Sequence, residues 1–176
     1  MSNPKRYNPW LVVIHWATAL LIILNLLAGT FVLKWMPNDA AKIMPLASHM
    51  TIGILILVLT LFRIVIRRAT PTPAPATTGN SFLDKIGVAT HILLYLGALG
   101  MGISGVGLAL QSGLFSSVYG GTGAIPPDFY AYPVRTGHGF AATALIGLVL
   151  LHIGAALYHQ VIRKDGLMSR MTIGKD

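Results

Sequence analysis

The chain has 176 residues, enough for one domain, with a mean hydropathy of +0.68 and only 10% charged residues. Such a composition excludes a water-soluble globular domain and points to a membrane protein. There is no cysteine and no glutamate, and the five aspartates (Asp39, Asp84, Asp128, Asp165, Asp176) fall in loops or flanks. Disulfides, iron–sulfur clusters and thiolate-held zinc are thereby excluded, and imidazole is left as the buried metal ligand.

Four apolar segments are predicted as membrane helices, at roughly 10–33, 46–66, 86–110 and 136–162. Each is long enough to cross a hydrocarbon core of ~30 Å at about 1.5 Å per residue. Lys5 and Arg6 precede the first segment, but its apolar run is too long for a signal peptide and no small-residue cleavage site follows. Pro37 and Asn38 break the first connection, and Pro45 suits a first helical turn. Thr70 to Pro75, with a proline at every second position, is an extended linker. A long stretch from Gln111 to Arg135, with Asp128 as its one charged residue before Arg135, is expected to cover a site.

Basic residues set the expected orientation. Lys5, Arg6, Arg63, Arg67, Arg68, Lys85, Arg163, Lys164, Arg170 and Lys175 gather on the side of the termini. Lys34, Lys42 and Arg135 lie on the other side. Ten against three places both termini in the cytoplasm. The net charge of +8 is therefore mostly topology, and nucleic-acid binding is not expected. The predicted fold is all-α: a transmembrane up-down-up-down four-helix bundle forming a single domain over 1–176.

Histidine carries the chemistry. His15, His49, His91, His138 and His152 lie within, or close to the ends of, these apolar segments, and His159 follows. Ionisable residues at such depth are costly and mark function. In the alternating topology His49 and His138 share the outer level, whereas His15, His91 and His152 share the inner one. His138 and His152 are fourteen residues, two heptads, apart, hence on nearly one face and ~21 Å apart along the axis. One helix thus offers an imidazole at each level, His138 for His49 and His152 for His15. Two opposed imidazoles suit a macrocyclic iron with two free axial positions. A non-haem metal wants three or four ligands, usually with carboxylate.

The histidines have glycine neighbours: Gly53, Gly137, Gly139, Gly147 and Gly154, with five more in the third segment from Gly97 to Gly107. They serve either close approach of a ring or ordinary small-residue helix packing. Arg63, fourteen residues after His49, is placed to pair with a haem propionate or a quinone head-group, or else snorkels as Arg67 and Arg68 do. His91 is surplus: it bonds a propionate or quinone carbonyl, or it replaces His15 as ligand. His159 is read as an interfacial residue, with a substrate role as the alternative. Trp10, Trp16, Trp35, Tyr130, Tyr132 and Tyr158 are read mostly as belt residues.

Arg6-Tyr7, Ile14-His15-Trp16, His49-Met50-Thr51-Ile52-Gly53 followed by Arg63, Pro71-Thr72-Pro73, His91-Ile92-Leu93-Leu94-Tyr95, His138, His152 and Tyr158-His159 together resemble the bacterial cytochrome b561 family. The resemblance runs over essentially the whole chain. It implies two haem b groups in an inner-membrane bundle, one on His15 and His152 at the cytoplasmic side and one on His49 and His138 at the periplasmic side. It further implies an oxidoreductase in which superoxide gives electrons to the haems, ubiquinone accepts them and oxygen is released. The alternative within the family is an anchor subunit linking a periplasmic dehydrogenase or hydrogenase to quinone. A small transporter or structural bundle is the third reading. It expects broken helices or buried carboxylates, which the spans do not offer.

Overall fold

The computed structural model describes residues 4–121 and 124–174; Lys175 and Asp176, counted above with the C-terminal flank, lie outside the described residues. It is all-helical over the described residues, with four helices long and apolar enough to span a membrane. They are α1 (Pro9–Leu27), α2 (Ile43–Ala69), α3 (Ser81–Gln111) and α5 (Pro133–Leu157). A short α4 (Leu114–Val118) lies in the connection before α5. Both α1 and α5 run on as single π-helical segments, Ala28–Leu33 and Tyr158–Arg163.

The helices start earlier than hydropathy alone predicts, because caps decide where a helix begins. Asn8 accepts from the Trp10 amide with Pro9 at the first turn. Asn80 accepts from the amides of Phe82 and Leu83, so α3 begins five residues before its apolar run. Pro133, which has no amide hydrogen to leave unpaired, opens α5. The Thr70–Pro75 linker is non-helical, as its prolines require.

The chain alternates direction. One end of the bundle gathers the termini and the α2–α3 linker: Tyr7 N–H donates to Arg170 O, Arg170 Nη1 to Ala74 O, and Arg163 Nη1 to Thr78 O. The opposite, loop end gathers the other connections: Asn38 Nδ2 donates to Pro127 O, and the Tyr119 hydroxyl lies 2.9 Å from Thr51 Oγ1. Helix α1 packs on α2, α2 on α3, and α3 most extensively on α5, whereas α1 and α5 approach far less closely. The result is an up-down-up-down bundle.

Large apolar side chains point outward. Trp10, Phe31, Phe62, Leu110 and Phe140 are all exposed, an arrangement suited to lipid and hazardous in water. Within, Leu33, Leu46, Ala109 and Leu114 form a buried cluster at the loop end, with Met50, Phe115, Val118 and Phe129 against it. The 111–135 connection thus folds down onto the bundle, α4 supplying Leu114 and Phe115. Glycine permits the closest helix approaches. A Cβ on Gly102 would stand 2.9 Å from Leu57 Cβ, and one on Gly97 3.1 Å from Leu145 Cδ1. These two glycines serve helix packing.

Candidate haem sites at two levels of the bundle

The backbone alternation brings the histidines into two groups. At the loop end His49 of α2 faces His138 of α5, with ring centres 6.4 Å apart and planes at 78°. Towards the termini His15 of α1 faces His152 of α5 at 6.3 Å and 80°. His91 of α3 stands closer to the same His152, at 5.2 Å. All five predicted core histidines are therefore gathered as their depths require.

These separations bear on what the rings can hold. Metal–imidazole bonds of about 2.0 Å on opposite sides of one ion, continued by roughly 1.1 Å to each ring centre, separate the centres by about 6.2 Å. Both the His49–His138 and His15–His152 pairs have that spacing. The His91–His152 spacing is about one ångström too short, so those rings stand in contact.

At the loop end the histidines line a cavity of about 780 Å³, within the range of small-molecule and cofactor sites. Its apolar walls include Ile22, Leu26, Ile56 and Leu145. His138 is oriented by Ser104, whose Oγ lies 2.9 Å from His138 Nδ1. The Ser104 hydroxyl donates to Met101 O at 3.1 Å, so its oxygen is left to accept from Nδ1–H. That assignment puts the lone pair on Nε2, the ligating form of the ring. Ser104 escaped the sequence reading because a serine inside a small-residue run looks like packing.

Glycine also adapts to the imidazoles. A Cβ on Gly105 would meet His138 Cε1 at 3.3 Å, and one on Gly29 would meet His49 Cε1 at 3.1 Å. Gly29 belongs to the π-helical segment at the end of α1. Of the glycines flagged beside histidine, Gly53 lies near Asn25 Nδ2, while a Cβ on Gly137, Gly147 or Gly154 would meet nothing within 4 Å.

Several buried polar atoms lack a hydrogen-bond partner among the described residues: His15 Nδ1, His49 Nδ1, Asn25 Oδ1, Arg63 Nε and Tyr95 Oη. Protein interiors rarely leave such groups unpaired without a role for them. Arg63 and Tyr95 form a unit, the guanidinium carbon 5.3 Å from the ring centre. Two donor-bearing groups beside the His15–His152 pair suit an acidic or carbonyl-bearing ligand. The metal-binding chemistry fits the donor set: neutral imidazoles in opposed pairs, and no cluster of three or more metal-ligating side chains among the described residues.

His159 departs from its interfacial assignment. It is buried, only 8% exposed, inside the π-helical end of the last span. Its Nδ1 lies 2.6 Å from Asp165 Oδ2, and Arg163 Nε also approaches that oxygen at 3.4 Å. The hydrogen bond from His159, with further help from the Leu167 amide and the positive charges nearby, holds the Asp165 carboxyl below the usual carboxylate range. Trp16 and Tyr130 likewise do more than mark an interface. The Trp16 indole donates to Met171 O at 2.9 Å, and Tyr130 lies under the Arg135 guanidinium at 4.9 Å.

Comparison with known proteins agrees with this geometry. The chain is 30% identical to cytochrome b562 of Cereibacter sphaeroides over 97% of its own length and 98% of the relative's. It is 28% identical to cytochrome b561 homolog 2 of Escherichia coli, over 99% and 94%. It is also 27% identical to a protein of Yersinia pestis named probable superoxide oxidase CybB, over 95% and 96%. The family model for prokaryotic cytochrome b561 matches residues 6–174. A four-span helical bundle with its histidines paired across the helices is thus a multi-pass membrane electron-transfer protein, and the chain belongs to the prokaryotic cytochrome b561 family, which implies b-type haem.

Proposed function

We propose that the chain is a single integral-membrane di-haem domain, with one haem b on His49 and His138 and the other on His15 and His152. The observation that carries this reading is the pair of imidazole separations, 6.4 and 6.3 Å, at opposite ends of one bundle. The shorter His91–His152 distance favours His15 over His91 as the partner of His152. His91 and Arg63 would then meet the cofactor's periphery, Arg63 from beside Tyr95. The basic residues near the termini support a bacterial inner-membrane orientation with both termini in the cytoplasm.

The activity proposed is oxidation of superoxide at the loop end and reduction of ubiquinone by way of the bundle. The name of the Yersinia pestis relative supports the first half. When bound, haem iron supplies reversible one-electron chemistry. Two superoxide anions lose one electron each and leave as two molecules of oxygen; one quinone takes both electrons and two protons to give the quinol. The chain's paired imidazoles would hold the group, its apolar walls exclude water, and it offers a polar group for proton exchange at the termini end. That group is His159, whose Nδ1 is engaged by Asp165.

The test is a reduced-minus-oxidised spectrum of the purified protein with a haem count per chain, followed by anaerobic rapid mixing with superoxide. Two haems per chain, reduced by superoxide and reoxidised by ubiquinone, are expected. Haems that superoxide leaves oxidised, in a protein that co-purifies with a catalytic subunit, would instead assign it as an anchor.

A further inference from the structure

Lys42 is charged, yet only 6% exposed. Sequence alone places it in an outer connection; the structure places it at the end of a 3₁₀ turn, Ala40–Lys42, that leads directly into α2. Its Nζ donates to Met36 O at 3.0 Å and Asn38 Oδ1 at 2.8 Å, both neutral acceptors. An ammonium has three donors, so one remains. No carboxylate lies within ion-pair distance of Lys42 among the described residues. Taking a cation out of water without a counter-charge is costly.

Arg135 repeats the pattern from the other side. It has no carboxylate partner among the described residues, and its Nη1 rests against Gly139, where a Cβ would stand 2.9 Å away. Two consecutive aromatic residues of one 3₁₀ turn, Phe129–Ala131, hold the two cations. Phe129 lies 5.6 Å from Lys42 Nζ, and Tyr130 lies 4.9 Å from the Arg135 guanidinium carbon. The nearby carboxylates accept from backbone amides, Asp39 from Ala41 and Asp128 from Tyr130, and Asp39 attracts Lys42 without reaching ion-pair distance.

Both cations line the same cavity as His49 and His138. Lys42 is one heptad before His49, and Arg135 is three residues before His138. Each therefore stands on the same helix face as its histidine, displaced outward by ~10 Å and ~5 Å along the axis. Each also sits at the N-terminal end of its helix, where the backbone adds partial positive charge.

We propose that Lys42 and Arg135 form a clamp for the two propionate carboxylates of the haem on His49 and His138; this rests on the haem reading above. Two cations that line one cavity with His49 and His138, neither in an ion pair among the described residues, match two carboxylates attached to one macrocycle. The shared chemistry is that of an anion site, and a free inorganic anion is the competing occupant.

The test uses the full-length, haem-loaded protein and its Lys42→Gln, Lys42→Arg and Arg135→Gln variants. The readouts are haem affinity and the midpoint potential of each haem, with the second haem as an internal control for folding. Each neutral variant is expected to weaken one haem about tenfold, the loss of one charge-assisted hydrogen bond. It should also lower that haem's midpoint, since removing a cation favours the ferric charge, and Lys42→Arg should restore both. Wild-type protein reconstituted with the haem dimethyl ester, which has lost both carboxylate charges, should be weakened by more than either single variant, and Lys42→Gln should then add nothing. Unchanged affinity and midpoint in both neutral variants would overturn the clamp. So would a Lys42→Gln penalty that persists with the ester, or a midpoint that follows added nitrate rather than esterification. A wild-type protein without haem would overturn the functional reading instead.

Discussion

His15 and His152 oppose one another with ring centres 6.3 Å apart, although they lie in the first and last spans of the chain. Helices α1 and α5 touch little elsewhere. Hydrophobic burial between those two helices is therefore too small to set this distance, and the packing chain α1 on α2, α2 on α3 and α3 on α5 holds them at it. The paired imidazoles can accept a ligand between them without the bundle first being pried apart.

The first prediction follows from the pairings. His49→Ala and His138→Ala should each remove one haem and spare the other, and His15→Ala and His152→Ala should remove the complementary one. His91→Ala should retain both, because His91 stands against His152 at 5.2 Å. A haem count per chain with spectra of each variant decides it. Loss of a haem in His91→Ala with retention in His15→Ala would reverse the assignment.

Ser104→Ala tests the orienting hydrogen bond. The variant removes the acceptor for His138 Nδ1–H, 2.9 Å away, and frees the ring to turn or change tautomer. Loss of such a supporting partner typically costs 10–100-fold in metal affinity. Haem titration of the purified variant should show that loss at the His49–His138 level only. Ser104→Thr, which keeps the hydroxyl, should recover most of it.

The glycines of α3 separate into two roles that substitution can distinguish. Gly102→Ala puts a methyl group 2.9 Å from Leu57 Cβ; overpacking of this kind costs roughly 1–3 kcal/mol. Its effect should appear as a lower unfolding temperature with haem spectra unchanged. Gly105→Ala instead presses on His138 Cε1 at 3.3 Å, and should alter the haem spectrum more than the unfolding temperature. Identical responses would remove the distinction.

Much of this was legible in the sequence. The depth of each histidine needed only the order of the spans and the rise per residue, so the four opposed imidazoles could be placed without coordinates. The partner of His152 stayed open because depth is one coordinate and the choice between His15 and His91 depends on lateral distance. Lys42, Ser104 and His159 were misjudged or overlooked for a related reason. Sequence position shows a lysine near a loop, a serine among small residues and a histidine near a basic flank. It does not show that the 111–135 connection folds back over Lys42, or that the tail after Arg163 returns Asp165 to His159. Helix starts at Pro9 and Ser81 were set by the capping side chains of Asn8 and Asn80, and that at Pro133 by a first-turn proline, none of which a hydropathy window can register.

The His159–Asp165 contact predicts an acid limit and a separable functional effect. Asp165 is held below the usual carboxylate range, chiefly by the hydrogen bond from His159. A group whose folded value is depressed contributes stability above its unfolded value, about 3.9, and loses that contribution as pH falls through the folded value. The ordering of the tail should therefore persist through neutral pH and fail only below the ordinary carboxylate range. Asp165→Asn removes the charge while keeping an acceptor, so the tail should loosen at all pH values, readable as faster proteolysis or amide exchange around Leu167–Met171. Both haems should remain, since neither Asp165 nor His159 belongs to the imidazole pairs. If His159 exchanges protons for the quinone, Asp165→Asn and His159→Gln should slow reoxidation of reduced haem by ubiquinone and leave its reduction by superoxide unaltered. Rapid-mixing measurements of the two half-reactions separate these outcomes, and equal slowing of both would assign the pair a structural role alone.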